Sequence, residues 1–243
     1  MTADAIALLL WALLGLIGGS IAYRVADRLL EQPSEGGASL LPRCRRCGRV
    51  QTPLHRLALL RWPCPGCGLR PPREQAAVEI LAAILVALLR LQLGDDRATA
   101  VPALATLVLI AATVTDLRAR LIPNALTYPA TALALAASFL PGGIGWAPAL
   151  LGTLAAGGLA MLIFLAGALF YRRADVFGLG DVKLALFIGA VVGFPAALTA
   201  LTAGIAVGGL LGLLILLRSR SSRATMPYGP ALAIGAYLTL LLS

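Results

Sequence analysis

The sequence predicts an all-α polytopic membrane protein of about eight transmembrane helices carrying one small cytoplasmic loop with four cysteines. Three observations predict it. Of 243 residues, 59% are hydrophobic and only 13% are charged, well outside the range of soluble domains. The apolar residues fall in runs, most of them close to the roughly 20 residues that a bilayer-crossing helix needs. The basic residues cluster at alternate connections between those runs.

Taken in order, the runs are 4–23, 75–93, 100–115, 124–140, 148–170, 182–196, 197–217 and 227–242. The first has no basic residue before it and no small-residue cleavage site after it, so it reads as a retained helix and not a cleaved signal peptide. The third and sixth are short. Only Gly193-Phe194-Pro195 separates the sixth from the seventh, a pair of residues that break helices flanking one aromatic. The organisation expected is a first transmembrane helix (1–23), a loop (24–74) and a membrane-embedded domain (75–243).

The net charge of +9 would suit nucleic acid, but its distribution decides otherwise. Ten of the 20 Lys and Arg lie between Arg24 and Arg73. Arg118 and Arg120 follow the third run, Arg172, Arg173 and Lys183 flank the fifth-to-sixth connection, and Arg218, Arg220 and Arg223 follow the seventh. Only Arg90 and Arg97 lie near the other connections. Threading eight helices thus puts 18 basic residues on one face and two on the other, the positive-inside asymmetry of a cytoplasmic side. The charge reports topology, and no nucleic-acid partner is expected. Connections on the far side, such as 140–146, are short and uncharged.

All four cysteines lie in the long loop, as Cys44-Arg45-Arg46-Cys47 and Cys64-Pro65-Gly66-Cys67, with 16 residues between the pairs. That is the spacing of a zinc ribbon, in which two knuckles close a tetrahedron of thiolates. Gly48 and Gly68 follow the second cysteine of each pair, where a knuckle needs positive φ. Redox pairs or disulfides are the competing reading, which a reducing cytoplasmic loop disfavours. Four sulfur ligands leave no open position, so Zn2+ bound by Cys44, Cys47, Cys64 and Cys67 would fold the loop and not catalyse.

Asp116 and Asp181 each sit at the edge of an apolar run on the cytoplasmic side, and a carboxylate there is costly enough to suggest function. Other chemistries lack parts. The one histidine, His55, lies between the cysteine pairs without HExxH or a nucleophile elbow, and the one lysine, Lys183, reads as a membrane-surface anchor. There is no Walker A or GxGxxG pattern. Two aspartates held close cannot both ionise cheaply, so they share a proton, and such a pair can activate water and polarise a carbonyl. Gly178 and Gly180, in Gly178-Leu179-Gly180-Asp181, would let substrate backbone approach the acid. The plainer readings are a helix N-cap for Asp181 and a surface ion pair with Arg118 or Arg120 for Asp116.

Together these residues resemble the type IV prepilin leader peptidases, bacterial GxGD aspartyl proteases of the inner membrane. Asp116 to Asn124 is similar to the first family motif, and Phe177 to Lys183 to the second. Pro72-Arg73-Glu74 with Val78-Glu79 resembles the passage from the cysteine loop into the second helix, and Pro227-Tyr228-Gly229-Pro230 the closing motif. The resemblance implies a catalytic pair, Asp116 and Asp181. It further implies cleavage of short basic leaders from prepilins or type II secretion pseudopilins at the cytoplasmic face. Fuller members also methylate the new N-terminus with S-adenosylmethionine. Here 48–63 is shorter than the usual inter-cysteine segment and lacks its Asn-hydrophobic-Pro stretch. The stretch 22–41 keeps only Tyr23-Arg24-Val25 and Arg28 of the usual start, so methylation stays open. Glu79 matches a family position, with a helix-packing hydrogen bond as its plain reading.

Two readings from other classes compete. One is a transporter using the aspartates as an ion or proton relay, which would place carboxylates near the bilayer midplane. The other is a non-catalytic assembly factor whose zinc ribbon docks a partner. Asp27, Glu31 and Glu35 would receive a basic leader in the peptidase reading, or simply face solvent.

Overall fold

A computed structural model describes residues 3–30, 44, 46–49, 57–60, 62–94, 96–140, 142–171, 178–219 and 227–242. His55, Glu31, Glu35, Phe177, Arg172, Arg173, Arg220 and Arg223, which the sequence singled out, lie outside these residues. Among the described residues every element is helical: α1 (Ala3–Leu30), α2 (Arg73–Leu93), α3 (Asp96–Ala119), α4 (Asn124–Ala137), α5 (Trp146–Tyr171), α6 (Leu179–Val192), α7 (Ala196–Ser219) and α8 (Gly229–Leu242). A short 3-10 turn, Ala58–Leu60, belongs to the cysteine loop.

Each of the eight apolar runs is a helix, and five of them, α1, α2, α3, α5 and α7, are long and apolar enough to cross a membrane. The helices α4, α6 and α8 have 14 residues each, about 21 Å of rise against a hydrocarbon core of about 30 Å. Helix boundaries follow local chemistry. Pro72 and Pro123 hold extended backbone immediately before α2 and α4, because proline fixes φ and its missing N–H costs nothing there. Gly94 ends α2 in the left-handed conformation with φ 68°. The first helix continues seven residues beyond the apolar run, through Arg24-Val25-Ala26-Asp27-Arg28-Leu29-Leu30. Tyr23 and Ala26 stay buried there, packed with Ala82, Ile110, Ala111 and Val114 of α2 and α3.

The core is centred on α6, whose Val182, Leu184, Ala185, Phe187 and Ile188 are buried. They pack with residues of α3, α5, α7 and α8. Large apolar side chains of the outer helices point away, with Leu162 and Leu217 65% and 68% exposed, as lipid-facing residues do. Because lipid supplies no hydrophobic drive between helices, close backbone contact holds them together. At the α5–α6 crossing a Cβ on Gly152 would stand 2.5 Å from the Gly189 carbonyl, and one on Gly189 would strike Gly152 in turn. Gly204 and Gly235 make the same kind of crossing between α7 and α8.

Candidate active site and metal centre

The two cysteine knuckles are copies of one another. In each, the first cysteine's N–H donates to the carbonyl five residues on, Cys44 to Arg49 at 2.8 Å and Cys64 to Leu69 at 2.9 Å. In each, the glycine four residues on returns its N–H to that cysteine's carbonyl. Gly48 and Gly68 carry φ 68° and 71°, as the sequence predicts. The four Sγ atoms lie within 4.8 Å of one another, with Cys44–Cys67 at 3.5 Å and Cys47–Cys64 at 3.7 Å. A sulfur pair bonded as a disulfide stands at about 2.05 Å. A tetrahedron with metal–sulfur bonds of about 2.3 Å has edges of about 3.8 Å, and the cluster fits that figure.

Its protonation chemistry fits a cation too. Backbone N–H groups of Cys47 and Arg46 hold the Cys44 thiol down to about 6. Cys67 receives the Leu69 amide, yet burial and the three neighbouring sulfurs outweigh it and push the thiol up to about 11. The first proton leaves such a cluster easily and the later ones only against accumulated negative charge, which a divalent ion neutralises.

The loop is fixed to the membrane helices by Glu79, whose plain reading from the sequence is a helix-packing hydrogen bond. Its carboxylate is fully buried and accepts the N–H groups of Ala58 and Leu59, each at 2.9 Å. Gln75 donates to it at 2.8 Å and reaches Ser20 on α1 at 3.1 Å. An acid inside α2 thereby caps the 3-10 turn between the two knuckles.

Asp116 lies in the last turn of α3 and Asp181 in the first turn of α6. Both are buried, 6% and 8% exposed, at the ends of two helices that touch one another. Local folding explains how two such distant residues meet. The Arg120 N–H caps the Asp116 carbonyl at 2.8 Å, and Arg120 turns left-handed with φ 53°. That turn swings Leu121-Ile122-Pro123 into α4 and seats Ile122 beneath the start of α6. A Cβ on Gly180 would stand only 3.2 Å from the Ile122 Cβ, so glycine lets the start of α6 close onto the segment that follows Asp116.

One oxygen of each carboxylate is held by a backbone amide. The Gly178 N–H donates to Asp181 Oδ2 at 2.8 Å, from the N-cap position of α6. The Gly229 N–H donates to Asp116 Oδ2 at 2.8 Å from the start of α8. This second contact was invisible in the sequence except as the Pro227-Tyr228-Gly229-Pro230 pattern, a rigid, glycine-containing turn opening an apolar run. Arg118 does not pair with Asp116. It pairs with Asp27 and Glu74, so Asp27 faces an internal cation and not only solvent. Lys183 donates to Asn124 Oδ1 and lies 5.8 Å from the centre of the Tyr128 ring, joining α6 to α4.

Residues 103–213 match the family described as the type IV leader peptidase family. A prepilin leader peptidase/N-methyltransferase of Aeromonas salmonicida is 32% identical over 228 residues, covering 90% of this chain and 78% of the relative. One from Aeromonas hydrophila is 31% identical over 83% of this chain and 72% of the relative. One from Bacillus subtilis is 31% identical over 93% of this chain and 91% of the relative. No solved structure gives a significant match.

Proposed function

This chain belongs to the type IV leader peptidase family, and from that premise we propose that it is a prepilin leader peptidase working through an aspartate dyad. The observation that carries the reading is the meeting of two buried carboxylates, Asp116 and Asp181, from separate motifs at abutting helix ends. The ionised member takes a proton from water, which attacks the scissile carbonyl, while the protonated member hydrogen-bonds the carbonyl oxygen. The Gly178 and Gly229 amides orient the carboxyl groups for these roles. Burial at the membrane edge strengthens both interactions by excluding water.

The substrates are membrane-inserted helices of prepilins or pseudopilins, whose basic leaders remain in the cytoplasm. Arginines concentrated at alternate connections favour a chain that places the cysteine loop and both aspartates on the cytoplasmic side of a bacterial inner membrane. The cysteine cluster holds a structural Zn2+ through Cys44, Cys47, Cys64 and Cys67 and supplies the loop with a fold. The relatives' names also carry an N-methyltransferase activity. A second step, methylation of the new N-terminus with S-adenosylmethionine, is therefore part of the test. A relay for ions finds less support, because the two acids sit at helix ends and not within helix centres.

The test is cleavage of a prepilin-like substrate by purified wild type, Asp116→Asn and Asp181→Asn. Both amide variants should lose cleavage while remaining folded, and a normal rate in either one overturns the dyad. Mass spectrometry of the product N-terminus, with and without S-adenosylmethionine, decides methylation.

A further inference from the structure

Arg118 stands two residues after Asp116, and its guanidinium gathers groups from two other helices. It lies 4.6 Å from the centre of the Tyr23 ring and donates to the Tyr23 hydroxyl. It also donates to Asp27 Oδ1 at 2.9 Å and to Glu74 Oε2 at 2.5 Å. Tyr23 and Asp27 are four apart, on one face of the end of α1, and Glu74 is the second residue of α2. Between α1 and α2 runs the loop that carries all four cysteines. One side chain at the end of α3 therefore grips the place where that loop leaves the helices and the place where it returns.

A lone exposed ion pair contributes little to stability, so the form of the contact matters. The Arg118 side chain is 29% exposed and that of Asp27 only 18%, whereas that of Glu74 is 73% exposed. The inner pair and the stack on Tyr23 are the sheltered part of the network. Planar stacking together with donation in several directions is available to arginine and not to lysine.

We propose that Arg118 is a positioning residue for peptidase activity: it fastens both ends of the cysteine loop to the last turn of α3 and so holds Asp116 in place against Asp181. The proposal rests on the dyad reading given above. It makes the cysteine loop a brace for the active site, since a loop whose ends are splayed pulls on the same turn that bears the acid. Reacting groups displaced by even 1 Å lose rate steeply.

The experiment compares full-length wild type, Arg118→Met, Arg118→Lys and Glu74→Gln in detergent. It reads kcat and KM on a prepilin-like substrate, bound zinc, and hydrogen exchange over 112–119. Arg118→Met is expected to keep its zinc and its KM, to lose about 10- to 100-fold in kcat, and to exchange faster over 112–119. Arg118→Lys should recover only part of the loss, and Glu74→Gln should move the same quantities in the same direction by less. Wild-type kcat in Arg118→Met, full rescue by lysine, or a raised KM with unchanged kcat would each overturn the proposal. Should Arg118→Met fail to fold, Asp27→Asn, which breaks the sheltered pair, is measured in its place, and wild-type kcat and exchange in it overturn the idea. Cleavage by Asp116→Asn would instead remove the dyad reading, and the exchange measurement would still judge the brace.

Discussion

The Gly229 amide donates to Asp116 Oδ2 at 2.8 Å, and a Cβ built on Gly229 would stand 2.7 Å from that same oxygen. One glycine thus supplies the hydrogen bond and leaves the room for it. Gly229→Ala keeps the amide but drives the carboxylate aside. We expect α8 to form normally, because alanine is the better helix residue, and cleavage to fall about 100-fold through misplacement of Asp116. Initial rates set beside thermal unfolding of the same sample check this. A variant that is destabilised and inactive in equal measure would point to packing alone.

The two glycines before Asp181 separate by role. A Cβ on Gly180 meets the Ile122 side chain at 3.2 Å, whereas one on Gly178 finds its nearest atom, Asp181 Oδ2, at 3.7 Å. Ile122 is buried in the core, so it yields little. Gly180→Ala should therefore lower activity more than Gly178→Ala, and Gly180→Val should abolish it. Cleavage rates of the three variants decide. The reverse order would mean that these glycines serve the approach of substrate backbone, as the sequence alone suggests.

Much of this arrangement was legible in the sequence, and what was hidden has a physical reason. Asp116 and Asp181 betray themselves because an acid at the edge of an apolar run is rare and costly. The cysteine spacing and the glycines after each pair encode a knuckle locally, within six residues. Gly229 and Arg118 do not betray themselves, since their partners are more than 40 residues away and their types are common at helix ends. Glu79 is intermediate: an acid inside α2 announces a buried partner, yet nothing in the pattern names the Ala58 and Leu59 amides. The lengths of α3 and α4 were obscured as well: α3 runs on through polar and charged residues at both ends of a short apolar run, and apolar turn residues extend the α4 run past the end of its helix.

Glu79 gives a prediction about the loop that is independent of catalysis. A buried donor stripped of its acceptor costs about 1–3 kcal/mol, and Glu79 accepts hydrogen bonds from Ala58, Leu59 and Gln75. Glu79→Ala removes all three and leaves the Ala58 and Leu59 amides without that acceptor. Their hydrogen exchange should rise by at least tenfold, with Glu79→Gln intermediate because its amide keeps one acceptor oxygen. Zinc content should stay near wild type in both, since no cysteine is touched. Unchanged exchange at Ala58 and Leu59 in Glu79→Ala would show that the turn is held by something else.

Metal removal tests the cysteine cluster itself. Full-length wild type should carry about one zinc per chain, and Cys44→Ser or Cys67→Ser should lose most of it, because three thiolates and a neutral hydroxyl bind far more weakly than four thiolates. Uptake by chelated protein must displace protons from the thiols that the cluster keeps protonated, Cys67 above all, which is pushed up to about 11. The sign follows directly: each proton released makes binding stronger as pH rises and weaker as it falls. Zinc retention measured against a competing chelator from pH 8 down to pH 5 should therefore decline steadily, steepening as Cys44 protonates near 6. Retention that is flat across that range would mean that thiolates do not hold the ion.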